Sequence, residues 1–239
     1  FAKLPVGGRS RYGNSATPFM GGYNIKSVKI ITTSAGKSTE TDVVPDIVET
    51  RMRLDLPKSL KPAGDKIVVK VDYEYIVPEY GADRTGILKN EDGNIYAIAQ
   101  WYPKICVFDD IQGWNTLPYL GASEFYLEYG NFDVAITAPS SHVVVASGDL
   151  LNPAEVMTAE QLKRYQQAHQ SDATVMIRTR EEVKLASSRP TKPTLTWKYN
   201  IINARDFAWA SSAAFIWDAA KINLPSGKKA LAQSVYPTS

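Results

Sequence analysis

The chain has 239 residues, 44% of them apolar and 22% charged, with a formal net charge of +2 at pH 7. That length can bury a core without disulfide or metal staples, and the balance is that of a globular protein. The scattered Lys and Arg lack the basic stripe of a nucleic-acid binder, no run reaches the ~18 apolar residues of a membrane span, and a single cysteine, Cys106, allows no internal disulfide. Nucleic acid and membrane are therefore not expected partners.

The chain opens on Phe1 rather than Met, which fits a processed or trimmed product and leaves the compartment open, export to a periplasm included. Residues 1–24 are rich in Gly, Ser, Asn and Pro and read as loop or loose edge. From there the apolar period is two. A strand is predicted over 24–32. Ala35-Gly36-Lys37-Ser38-Thr39 resembles the end of a phosphate-binding loop, but Ile31 stands where that pattern needs a glycine, so it reads as a polar turn. Val48, Thr50, Met52, Leu54 and Leu56 alternate with Glu49, Arg51, Arg53 and Asp55, which predicts a half-buried strand. Ile67, Val69, Val71, Tyr73, Tyr75 and Val77 line one face of a long strand whose other face carries Lys66, Lys70, Asp72 and Glu74.

Further strands are predicted at 95–102, 124–129, 131–138, 142–147, 173–185 and 194–202, with Gly130-Asn131 as a hairpin turn between the second and third. One stretch is helical. Asn152-Pro153 is a start signal, Thr158 to Gln161 forms a capping box, and Leu162, Tyr165 and Ala168 follow at helical spacing, giving one short helix at 159–169. The predicted fold class is all-β: a saddle-shaped sandwich or open sheets of about eight or more strands with one short helix.

The chemistry-bearing residues are sparse. His142 and His169 are the only histidines and no His-Glu-x-x-His is present, so the three ligands of a catalytic zinc site are not expected. His142 is expected at a strand end and His169 as a helix cap. No Gly-x-Ser-x-Gly elbow occurs, and Cys106 reads as a small buried apolar residue. Asp109, Asp110, Glu124 and Glu128 surround Gly113-Trp114 and could hold a hard cation or act as paired carboxylates. The plainer reading has Asp109-Asp110 opening a turn that ends at Gly113. Trp101, Tyr102, Phe108, Trp114, Tyr119, Phe125, Tyr126 and Tyr129 read as core rather than as a ligand platform. No catalytic residue is assigned.

Several blocks carry a family resemblance. They are Gln100-Trp101-Tyr102-Pro103-Lys104-Ile105-Cys106-Val107-Phe108-Asp109-Asp110 with Gly113-Trp114, the run from Gly121 to Val134, Ile136-Thr137-Ala138-Pro139, Val144-Val145-Ala146-Ser147-Gly148, Leu151-Asn152-Pro153 and Asn203-Ala204-Arg205-Asp206-Phe207-Ala208-Trp209-Ala210. In this order and spacing they resemble the N-terminal domain of bacterial zinc aminopeptidases of the aminopeptidase N type, a branch of the gluzincin metallopeptidases. The match is dense over 95–218 and looser over 20–94.

The resemblance implies a β-rich N-terminal domain over 1–218, with its first strands missing before Phe1, and a lead-in at 219–239 to a catalytic domain absent from this chain. Zinc would sit in that absent domain, where it polarises the scissile carbonyl and activates water. The implied partners are the catalytic domain of the same polypeptide and a peptide substrate. In the family a Gln-x-Glu/Gln-Pro/Ala loop of the N-terminal domain helps hold the substrate's α-amino group. Gln100 matches its first position and Pro103 its last, while Tyr102 stands at the amine-binding position, where a tyrosine offers one oxygen and no charge at neutral pH. Gln100, Trp101 and Tyr102 are the expected substrate-binding residues. Asp206 is expected to pair with Arg205 or a neighbour. Two alternatives stay open: a free-standing β-sandwich module that binds carbohydrate or protein, and a domain of an inactive peptidase homologue.

Overall fold

A computed structural model describes residues 21–34, 36–62, 64–79, 84–117 and 126–238. The first strands are β1 (Asn24–Ser34), β2 (Lys37–Asp42), β3 (Asp46–Val48), β4 (Arg51–Arg53) and β5 (Val68–Glu74). Next come β6 (Thr85–Leu88), β7 (Ile95–Ile98), β8 (Phe108–Asp109), β9 (Gly113–Trp114), β10 (Gly130–Pro139), β11 (Val143–Ala146) and β12 (Asp149–Leu150). The helices α1 (Pro153–Val156), α2 (Ala159–Ala168) and α3 (Arg180–Val183) are interleaved with β13 (Val175–Arg178) and followed by β14 (Thr194–Ala204), β15 (Trp209–Ser212), β16 (Phe215–Asn223) and β17 (Lys229–Pro237). The fold is all-β, made of small antiparallel sheets with α2 as the one helix longer than four residues among those described.

The chain divides into two compact units. The smaller is built on Ala16–Ile76 and Lys104–Leu127. Its main sheet has the order β2-β1-β5. Period-two patterning explains β1: Val28 and Ile30 are buried, while Lys29 between them reaches Glu40 and Asp42 of β2. The single strand expected over 48–56 is instead a tight hairpin. Glu49 takes the left-handed region at φ 54° and Ile47 pairs with Met52. The alternating pattern is the same on both arms of so short a hairpin, so periodicity alone cannot see the turn.

The larger unit is built on Val77–Pro103 and Glu128–Ser239. Its sheets have the orders β11-β15-β7-β6, β10-β14-β12 and β13-β16-β17. The longest ladder joins β10 to β14, from Gly130 opposite Ala204 to Pro139 opposite Thr194. Gly130-Asn131 is therefore no hairpin turn. Residues 126–129 lie outside any strand, and β10 finds its partner far along the chain. Gly148, at φ 85°, sits where a Cβ would collide with the Asn200 carbonyl, so only glycine lets the chain enter β12 against β14.

One further strand expectation is corrected here. The strand predicted over 173–185 stops at Arg178, because Thr179 caps α3 in a second capping box with Glu182. β16 runs through residues 218 and 219, with Trp217 and Ala219 both buried and β17 paired along the strand's length.

The core of the larger unit gathers Val143, Val144, Val156, Ile177, Trp197, Phe207 and Trp217. Each such side chain, fully buried, contributes roughly 1.5–3 kcal/mol. α2 is held by the expected box between Thr158 and Gln161, and it presents Tyr165 and Ala168 to the core. Two arginines are buried with it. Arg178 Nη1 donates to the carbonyls of Ala213 and Phe215. Arg189 donates to the carbonyls of Ser140, His142 and Val156 and to Gln161 Oε1. Burial lowers both guanidinium pKa values to about 10, which still leaves them charged at neutral pH.

Candidate functional site

The site begins where β7 ends. The strand predicted over 95–102 stops at Ile98, because Gln100 adopts φ 51°, a left-handed conformation that a residue with a Cβ rarely takes. Holding one there costs about 1–2 kcal/mol, and such strain concentrates at functional sites. The Thr85 hydroxyl bonds to the Ala99 carbonyl and accepts from its amide, which fixes the residue before the turn.

After the turn, Trp101 and Tyr102 meet a segment more than 100 residues further on. Trp101 Nε1 donates to the Phe207 carbonyl at 3.0 Å. The Tyr102 hydroxyl donates to Asp206 Oδ1 at 2.9 Å, and the same oxygen accepts the Phe207 amide at 2.8 Å. Phe207 is fully buried and anchors the group. The rings pack by their edges: Trp101 on Tyr102 at 5.3 Å, Trp101 on Trp209 at 6.4 Å and Tyr102 on Phe132 at 5.9 Å. These are favoured aromatic geometries, and they hold the two side chains as one half-buried body. Tyr102 thus carries a carboxylate on its hydroxyl. The Arg205 guanidinium lies over the Tyr129 ring at 4.6 Å, and the neighbour shown bonded to the Asp206 side chain across the chain is Tyr102.

The other candidate groups do not join this site. His142 Nδ1 is 2.9 Å from Ser211 Oγ, with Tyr96 alongside. Its pKa is lowered from 6.5, first by burial and then by the charges of Arg178 and Arg189. His169 is the C-cap of α2, edge-on to Tyr165. Among the described residues no three His, Cys, Asp or Glu stand where they could hold a metal ion.

The carboxylate-rich region is built as a turn. Asp109 accepts from the amides of Ile111 and Gln112, from Asn115 Nδ2 and from the Tyr126 hydroxyl. These bonds, the Gln112 amide first and the Asn115 side chain next, pull its pKa down to about 2. Asp110 and Glu128 are exposed, and Glu124 lies outside the described residues.

Two expectations fail around that turn. The aromatic set is not one core: Trp101 and Tyr102 pack on the larger unit's core, whereas Phe108, Trp114, Tyr126 and Tyr129 are each more than half exposed. Tyr119 and Phe125 lie outside the described residues. β8 and β9 have two residues each, too few to make a sheet face that buries a ring, so Phe108 and Trp114 pack mainly on each other at 5.1 Å. Cys106, in the irregular lead-in to β8, is exposed rather than buried. Asp206 is the residue that sequence reasoning placed least well. Its block was noted, but no spacing rule links residue 206 to residue 102.

No family model matches the chain, and no curated protein matches it.

Proposed function

We propose that this chain is a non-catalytic N-terminal domain of a zinc aminopeptidase, framing the substrate cleft and helping to recognise the peptide N-terminus. One observation carries the reading. The two most separated blocks of the family resemblance, Gln100–Pro103 and Asn203–Ala210, are joined by the Trp101 indole N–H on the Phe207 backbone carbonyl and by the Tyr102 hydroxyl on the Asp206 carboxylate. The strained φ of Gln100 at the start of the first block adds support. Tyr102 lacks the charge usual at its position, and the Asp206 carboxylate bonded to it supplies one beside it. In this reading zinc and its ligands belong to the catalytic domain, and the chain's own residues position substrate.

The test uses the parent polypeptide. The sequence beyond Ser239 is expected to hold His-Glu-x-x-His, and Tyr102→Ala is expected to raise KM for a peptide with a free amine while zinc content is unchanged. Peptide turnover by the 239-residue chain alone, or a parent lacking those zinc ligands, would sink the reading. A second reading, a carbohydrate-binding module, is favoured by the exposed Phe108, Trp114 and Tyr126. Specific glycan binding lost in Trp114→Ala would establish it.

A further inference from the structure

The left-handed turn at Gln100 is gripped from both sides. Gln100 stands at φ 51°, a conformation that a residue with a Cβ keeps only where its surroundings impose it. Before the turn, Thr85 of β6 supplies part of that constraint. It stands opposite Ile98, the last residue of β7. Its hydroxyl donates to the Ala99 carbonyl and accepts the Ala99 amide at 3.1 Å. The Ala99 amide also reaches the Arg84 carbonyl at 3.0 Å, one step beyond Ile98.

The Ala99 carbonyl belongs to the peptide plane whose nitrogen is that of Gln100, so holding the carbonyl sets the plane from which φ of Gln100 is measured. After the turn, Trp101 Nε1 is bonded to the Phe207 carbonyl and the Tyr102 hydroxyl to Asp206 Oδ1. A strained residue thus lies between a hydroxyl grip on one side and two tertiary bonds on the other. If the grip is removed, φ can relax to a negative value, which redirects the chain away from Asp206 and Phe207. Only a hydroxyl at residue 85 both donates to the carbonyl and accepts from the amide. Valine keeps the shape and the strand preference but neither bond.

We propose that Thr85 is a positioning residue: its hydroxyl holds the Gln100 turn left-handed and so sets the Tyr102–Asp206 pair for recognition of the peptide N-terminus. For its ligand the proposal rests on the peptidase reading; for its device it rests on the bonds around Ala99.

The experiment has two arms. In the full 239-residue chain, NMR reads hydrogen exchange of the Trp101 indole N–H and the Phe207 amide. Thr85→Val is expected to speed both by about tenfold, the worth of roughly one hydrogen bond, with β14 amides unchanged. Thr85→Ser, which keeps the hydroxyl, is expected to exchange like the unmodified chain. Adding Gln100→Gly to Thr85→Val is expected to restore slow exchange, because glycine holds a positive φ without strain. A merely structural loss at residue 85 would not be repaired there. In the parent polypeptide, Thr85→Val is expected to raise KM for a free-amine peptide about tenfold with kcat within roughly twofold, and Thr85→Ser to leave both unchanged.

Unchanged exchange in Thr85→Val, equal acceleration in Thr85→Ser, or no repair by Gln100→Gly would overturn the proposal. So would an active parent whose KM is unmoved by Thr85→Val, and that result would leave the peptidase reading standing. A parent without zinc ligands or turnover would sink the peptidase reading and the proposal together.

Discussion

The two units of this chain are held together by different means. In the larger unit, strands of nine to eleven residues and the α2 helix bury a continuous core that includes Trp197, Phe207 and Ile177 at zero exposure. In the smaller unit, the buried apolar side chains among the described residues are Val28, Ile30 and Val107, while Ile111 is 87% exposed and Trp114 is 58% exposed. The smaller unit instead leans on its β2-β1-β5 ladder and on the Asp109 turn network. Apolar burial is the dominant favourable term in folding, and net hydrogen bonds contribute only modestly. The contrast therefore predicts a rigid larger unit, and the Gln100–Tyr102 site is built on it.

The largest expected effect tests that rigidity at Arg189. Its guanidinium makes bonds to four groups and lies 5.7 Å from the Trp197 ring. Arg189→Met would leave buried carbonyls of Ser140, His142 and Val156 without this donor, and a loss of about 3–5 kcal/mol is expected by urea unfolding. A loss under about 1 kcal/mol would mean that apolar packing alone holds this corner.

The next pair sets the units against each other with the same deletion. Ile177→Ala and Ile30→Ala each remove a fully buried isoleucine. Ile177 sits in the enclosed core and is expected to cost about 4 kcal/mol, whereas Ile30 lies in a sheet whose neighbours can settle into the gap, at about 2 kcal/mol. Hydrogen exchange should follow suit, with β14 amides slower than those of β2. Equal costs would erase the distinction.

A pH effect sharpens the comparison, because it should be confined to the larger unit. His142 has a folded pKa below its ordinary 6.5, since burial and the nearby Arg178 and Arg189 charges oppose the imidazolium. The unfolded state therefore binds the extra proton more readily. The stabilisation is complete above pH 6.5 and is lost as pH falls through the lower folded value. His142→Asn, which keeps a side-chain amide near Ser211 Oγ, is expected to flatten Tm against pH in that window. An unchanged slope would assign the acid sensitivity to another group.

The sequence made the fold class legible wherever one face of a strand is buried and the other wet. β1, β5 and β14 follow their period-two patterns, and the Thr158 capping box places α2 to within a residue. What stayed hidden depends on partners far along the chain. Gly130-Asn131 has the composition of a hairpin, but β10 gains more from an eleven-residue partner, β14, than from a two-residue turn. β16 and β17 carry apolar residues on both faces over part of their length, so alternation is weak there. At the candidate site the residues were legible only through resemblance. The bond from Tyr102 to Asp206 is a tertiary fact that no local pattern contains, and the left-handed turn at Gln100 lies at a residue type with no preference for it.

The smallest expected effect concerns the charges that decorate the smaller unit. Lys29 stands 3.4 Å from Glu40 and 3.9 Å from Asp42, across the β1–β2 ladder, with a third of its own side chain exposed. In water such a pair gains little, because side-chain entropy and solvent screening offset the attraction, so Glu40→Gln is expected to change stability by less than about 0.5 kcal/mol. Molar salt, which shortens the screening length to about 3 Å, should likewise leave the β1 amides' exchange nearly unchanged. A clear loss in either measurement would show that cross-strand charge, rather than the backbone ladder around Val28 and Ile30, holds this sheet together. The smaller unit would then be the salt-sensitive half of the chain, and its contrast with the larger unit would be one of electrostatics instead of core size.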